Sequence, residues 1–161
     1  SYKNLIDLKK NIIKTNQKKI RICSHLKKDD FLHEMFIIHH KSCYIRPHRH
    51  ISKSESIFII EGEVDLILFD EQGNIKDVIE MGDPLSKKLI YNRLNESIFH
   101  TLLIKSEYII FHEVTEGPFD KFKTEYAKWA PADDGPRAEC YVHDTILKVN
   151  NFKSNLNEKR S

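Results

Sequence analysis

Residues 57–79 carry the pattern that most restricts how this chain can fold. Ile57-Phe-Ile-Ile60 is a short apolar run closed by Glu61-Gly62, and 63–69 then alternates, with Val64, Leu66 and Leu68 on one face. A period of two marks a half-buried strand, because successive strand side chains point to opposite faces. Asp70-Glu-Gln-Gly-Asn74 reads as a hairpin loop, since Gly73 and Asn74 both tolerate positive φ, and 75–79 returns as the partner strand. Met81-Gly-Asp-Pro84 turns again, and strands are predicted at 34–40, 89–94, 100–104 and 108–114. Ahead of them, 4–13 spaces Leu5, Leu8 and Ile12 at helical intervals among lysines. Short strands divided by turns, with a helix in front, specify an all-β sandwich or barrel.

The 161 residues suffice for one domain with a real core. A formal charge of +2, with lysines interleaved among acids, gives no electrostatic reason for a nucleic-acid partner. No apolar run approaches the roughly 20 residues of a membrane span, and no signal-peptide pattern is visible. Cys23, Cys43 and Cys140 are odd in number, scattered and without Cys-x-x-Cys spacing, which predicts reduced thiols and a cytoplasmic protein. Phe119, Phe122, Tyr126 and Trp129 stand among mixed charges beyond Gly117-Pro118, so 119–149 is predicted to wrap over the sandwich rather than stack on bases. The polar residues 150–161 are predicted to be a mobile tail.

The chemistry concentrates in Tyr44-Ile-Arg-Pro-His-Arg-His50 and the residues just after it. On a strand, His48 and His50 share a face roughly 7 Å apart and can converge on one ion, with Glu55 adding an oxygen across a short loop. The same residues are compatible with a surface strand bearing two solvated histidines. Alternation also puts Tyr44 and Arg46 on the histidine face and Cys43 on the opposite one. An arginine beside a metal suits an anionic oxygen ligand, while a salt bridge to a surface acid is the rival reading. Glu113 shares a face with Phe111, which makes it either an inward general base or a surface carboxylate. His39 and His40, being adjacent on a strand, cannot easily share an ion and are read as polar strand-end residues.

His-x-His, Glu after four residues and Gly after six more resembles the first motif of the cupin family. The family's second motif ends in a single histidine, matched here by His100 in Asn95-Glu-Ser-Ile-Phe-His-Thr-Leu, with Asn95 and Ser97 where that motif has Pro and Gly. Leu68-Phe-Asp-Glu-Gln-Gly73, Phe99-His-Thr101, Glu113-Val-Thr-Glu-Gly-Pro-Phe119 and Trp129-Ala-Pro131 are similar to the WbuC-like subgroup, over about 21–131. The resemblance implies a jelly-roll β-sandwich or barrel with a short N-terminal helix over 1–20, a barrel domain over 21–118 and an irregular C-terminal wrap. It also implies one divalent ion (Fe, Mn, Zn or Ni) on His48, His50, Glu55 and His100, with His25 at a position where that subgroup also carries a histidine, and a homodimer. The subgroup is associated with gene sets for bacterial surface polysaccharide, including O-antigen. The expected activity is therefore metal-assisted isomerisation, epimerisation or hydrolysis of a sugar or nucleotide-sugar intermediate. An iron-dependent oxygenase and a non-enzymatic small-ligand module are the alternatives. On this reading Tyr44, Arg46 and His25 contact an anionic or sugar-derived substrate, and Glu113 takes the catalytic role.

Overall fold

A computed structural model describes residues 2–15, 17–95, 97–132 and 134–158. The elements are α1 (Tyr2–Thr15), β1 (Lys19–Cys23), β2 (Leu32–His40), β3 (His48–His50), β4 (Glu55–Glu61), β5 (Glu63–Phe69), β6 (Ile75–Gly82), β7 (Tyr91–Leu94), β8 (Phe99–Ile104), β9 (Tyr108–Glu116), β10 (Thr124–Tyr126) and α2 (Pro136–Glu158). Two five-stranded sheets face one another, in the orders β1-β2-β9-β4-β7 and β10-β3-β8-β5-β6. Their strands pair antiparallel throughout. This is the all-β sandwich predicted from the period-two runs.

Alternation sorts the strand residues between two environments. Val64 and Leu66 of β5, Leu102 and Ile104 of β8, Ile57 and Ile59 of β4, and Ile109 and Phe111 of β9 fill the space between the sheets. Residues of opposite parity face outward, and each outer surface is covered by a helix. Leu5, Leu8 and Ile12 of α1 pack on Ile38 and Ile110 behind the first sheet. Val149 and Tyr141 of α2, with Trp129, pack on Ile67, Phe69 and Phe99 behind the second. The turn between β4 and β5 needs glycine, because Gly62 has φ of 91° and a Cβ there would strike the Tyr108 carbonyl oxygen.

Three expectations are corrected. The extended segment at Tyr44 enters a sheet only over His48–His50, because 41–47 makes no ladder. Position 20, expected to end the helical segment, lies inside β1. The chain from 119 to 132 does wrap irregularly, with a 3-10 turn at Lys121–Lys123 and β10 pairing to β3. From Pro136, however, one helix runs to Glu158, where the sequence reading had a mobile tail from 150; residues 159–161 lie outside the described residues. Ala138, Tyr141, Thr145 and Val149 recur every three or four positions behind a Gly135-Pro136 start, a helical stripe weakened by its small and polar members.

Candidate metal centre

β3, β8 and β4 bring His48, His50, His100 and Glu55 to one point between the sheets. His48 sits directly opposite His100 in the antiparallel register. Glu55, the first residue of β4, reaches in from the other sheet. One donor atom from each of the four lies within 4.8 Å of the others. The imidazole centroids are 4.7 Å (His48–His100), 5.1 Å (His48–His50) and 5.8 Å (His50–His100) apart. Glu55 and His100 are buried. All four residues singled out from the sequence as ligands are therefore together.

Backbone and wrap orient the rings. His48 Nδ1–H donates to the Arg46 carbonyl at 2.9 Å and His100 Nδ1–H to the Ile98 carbonyl at 3.0 Å, which leaves each Nε2 with its lone pair free. Among the described residues His100 Nε2 is buried without a hydrogen-bond partner, an orphan atom of the kind a ligated ion would satisfy. His50 Nδ1 lies 3.2 Å from the Thr124 hydroxyl, and its Nε2 is 2.7 Å from Glu55 Oε2. Burial lowers the His48 pKa to about 4 and lowers that of His100, so both rings are neutral at neutral pH. Burial alone would raise the Glu55 carboxyl, but the His50 hydrogen bond and the facing imidazoles outweigh it and hold the group below the usual carboxylate range. Three neutral nitrogens and one carboxylate form a donor set that divalent transition metals accept, and these residues fit such an ion.

The cluster lies in a cavity of about 880 Å³ running between the sheets along their β1 and β10 edges. Glu113 lines it, so its side chain faces the interior rather than the outer surface. Burial, followed by the nearby Glu55 charge, pushes the Glu113 carboxyl well above its usual range, with Arg21 opposing. Arg46 also lines the cavity, but its Nη2 donates to the Ala127 carbonyl at 2.7 Å and its guanidinium lies 5.3 Å from the Tyr126 ring centroid. Its Nε is buried without a hydrogen-bond partner among the described residues. Tyr44 turns its hydroxyl to the Pro131 carbonyl at 3.0 Å and its ring toward Tyr141, so it ties the wrap to the sandwich at the cavity wall. His25 stacks on His33 at 4.0 Å and lines the cavity from the β1–β2 loop.

Cys43 lines the cavity too, where strict alternation had put it on the opposite face; outside a ladder, residue parity stops dictating direction. His39, read as a strand-end polar residue, faces inward against Phe111, with its Nδ1 buried and unpartnered. Thr124 was missed altogether, because its hydroxyl meets His50 only through the β10–β3 pairing.

The family model described as "Domain of unknown function (DUF6016)" matches residues 3–81, a span that includes His48, His50 and Glu55 but stops before His100. No curated protein matches the chain. Among solved structures, a protein from Shewanella oneidensis superposes with a TM-score of 0.54 at 8% identity, over 66% of this chain and 72% of that one. An uncharacterized conserved protein with a double-stranded β-helix domain from Klebsiella pneumoniae gives 0.53 at 16% identity, over 70% and 82%. Oxalate decarboxylase from Bacillus subtilis gives 0.51 at 16%, over 67% of this chain and 27% of that longer one. Facing antiparallel sheets, an inward histidine–carboxylate cluster and these superpositions establish that the chain has the double-stranded β-helix fold of the cupins.

Proposed function

We propose that this protein binds one divalent metal ion through His48, His50, Glu55 and His100, and uses the cavity around it to act on an anionic small molecule. One observation carries the reading: four donors converge from two sheets, and two of the rings have their Nδ1–H committed to carbonyls so that Nε2 faces the centre. A bound ion would supply Lewis acidity toward a substrate oxygen. Arg46, whose buried Nε lacks a hydrogen-bond partner among the described residues, would bind an anionic group of the substrate. Glu113, beside Glu55 and held by no hydrogen bond or ion pair among the described residues, would take or give the proton. The cavity falls within the range that buries a drug-sized ligand, large enough for a sugar or nucleotide sugar. The motif likeness to the WbuC-like group supports isomerisation, epimerisation or hydrolysis in surface-polysaccharide synthesis as the reaction class.

The test is metal analysis of protein purified without chelator, wild type beside His48→Ala and His100→Ala. The wild type is expected to hold close to one ion per chain and each variant far less. Full occupancy in His100→Ala would remove β8 from the site, and a wild type that takes up no divalent metal would overturn the proposal.

A further inference from the structure

The cavity continues well beyond the histidine cluster. Glu55 pairs with Thr115, and Thr115 with His33 on β2, whereas Lys19 of β1 pairs with His39, six residues further along β2. At ~3.3 Å per residue that separation is about 20 Å, and Arg21, opposite Ile37, lies about 13 Å along. Lys19, Arg21 and Cys23 are alternate residues of β1 and all line the cavity. Neither Lys19 nor Arg21 makes a hydrogen bond or ion pair with another side chain among the described residues. Of the acids lining the cavity, Asp134 is held by Lys18 at 3.0 Å, and Glu113, opposite Met35, lies between the two ends with Glu55 and Arg21 both acting on its carboxyl. Beside the two cations, His39 offers a buried Nδ1 without a hydrogen-bond partner among the described residues. A buried polar atom without a partner is costly unless something else meets it.

We infer that Lys19, Arg21 and His39 form a second subsite of the same cavity, one that takes the phosphate or diphosphate of an elongated ligand whose other end lies at the histidine cluster. The inference rests on reading the cavity as a ligand site, and it deepens that reading by naming the substrate class: a sugar carried on a phosphate-bearing arm. Arg21 can meet two phosphate oxygens in a fork, Lys19 adds a point charge, and His39 Nδ1–H donates from the wall. A free monosaccharide at the cluster would leave all three unused.

The probe is inorganic pyrophosphate, titrated calorimetrically into the full chain in metal-loaded and chelator-treated forms. Chelator-treated wild type is expected to bind it, Arg21→Gln at least tenfold more weakly, and His39→Phe several-fold more weakly. Lys76→Gln, which removes an exposed charge of β6, is expected to bind as wild type does. Absence of binding to chelator-treated wild type, unchanged affinity in Arg21→Gln, or an equal loss in Lys76→Gln would each overturn the subsite. Metal content, measured on the same samples, reports separately on the histidine cluster, so failure of one reading is distinguishable from failure of the other. UDP-glucose and glucose form the second comparison, with only the first expected to lose affinity in Arg21→Gln.

Discussion

His48 and His100 each commit Nδ1–H to a carbonyl two residues upstream, and that local bond, more than the identity of the residues, makes them competent ligands. Thr124 holds the His50 ring from a different part of the chain, its hydroxyl 3.2 Å from Nδ1. Thr124→Val keeps the shape of the side chain and removes the hydroxyl, so metal affinity should fall on the order of tenfold while the melting temperature of the metal-free protein stays near wild type. Chelator competition measures the first quantity and thermal denaturation the second. Unchanged affinity would make the Thr124 bond incidental. Glu55→Gln keeps the shape of Glu55 but removes its charge, so it should weaken binding at neutral pH as well as in acid. Equal affinity at every pH would reduce the site to three histidines. Arg46→Lys should leave metal content intact and weaken anion binding only, since lysine lacks the planar fork.

At the scale of elements, the two helices hold the sheets in the relation the site requires. Ile12 is 1% exposed and locks α1 over Ile38 and Ile110. Ile12→Ala should cost about 2–4 kcal/mol in chemical denaturation, the usual range for emptying a buried aliphatic position. On the other side, Asp65 is buried on β5, and Lys153 of α2 reaches it at 2.9 Å while also meeting Glu80 at 2.8 Å. Removing Lys153 strands a buried carboxylate, with Lys105 at 3.8 Å as its remaining cation. Lys153→Ala is therefore expected to cost about 2–3 kcal/mol, and the Asp65→Ala, Lys153→Ala double variant less than the sum of the single ones. Strict additivity would show that the helix is held by its apolar face alone. Gly73 is a third anchor: its φ is 86°, and a Cβ would come within 2.8 Å of the Trp129 ring, so alanine there should loosen the wrap.

For the molecule as a whole, the buried histidines tie stability to pH. Burial lowers the pKa of both His39 and His48 to about 4, against 6.5 in an unfolded chain, and lowers that of His100 as well. Below pH 6.5 the unfolded chain takes up protons that the native state refuses. Stability is thus fully present above 6.5 and is lost as pH falls toward 4, where the native rings protonate as well. The melting temperature of metal-free protein should drop steadily across that window. His39→Phe should flatten the slope by on the order of 3 kcal/mol between its ends, at the conversion of about 1.36 kcal/mol for each pKa unit between 6.5 and about 4. A flat profile in the wild type would mean that these rings are solvated. Added zinc should raise the melting temperature at about pH 7 far more than at about pH 5, because the ion and the protons compete for the same nitrogens.

The sequence by itself determined most of the strands and their parity, though not β1 or β10, because alternation is a property of neighbouring residues and survives without knowledge of partners. It therefore determined that 57–79 builds a hairpin with one buried face, that 4–13 is an amphipathic helix, and that His48, His50, Glu55 and His100 are the residues to bring together. The last of these depended on resemblance for His100, since nothing local to 95–102 marks a ligand. Tertiary structure decided what parity cannot reach. Cys43, Tyr44 and Arg46 sit outside any ladder, so their directions follow from contacts with Ala127, Pro131 and the interior. The carbonyls that set two histidine tautomers and the hydroxyl that holds the third ring were invisible, because backbone carbonyls have no sequence signature and Thr124 meets His50 only across a pairing between residues 74 positions apart. The length of α2 was hidden for a related reason. Its buried stripe runs through Ala138, Thr145 and Val149, residues whose burial is dictated by the sheet beneath them rather than by their own hydrophobicity.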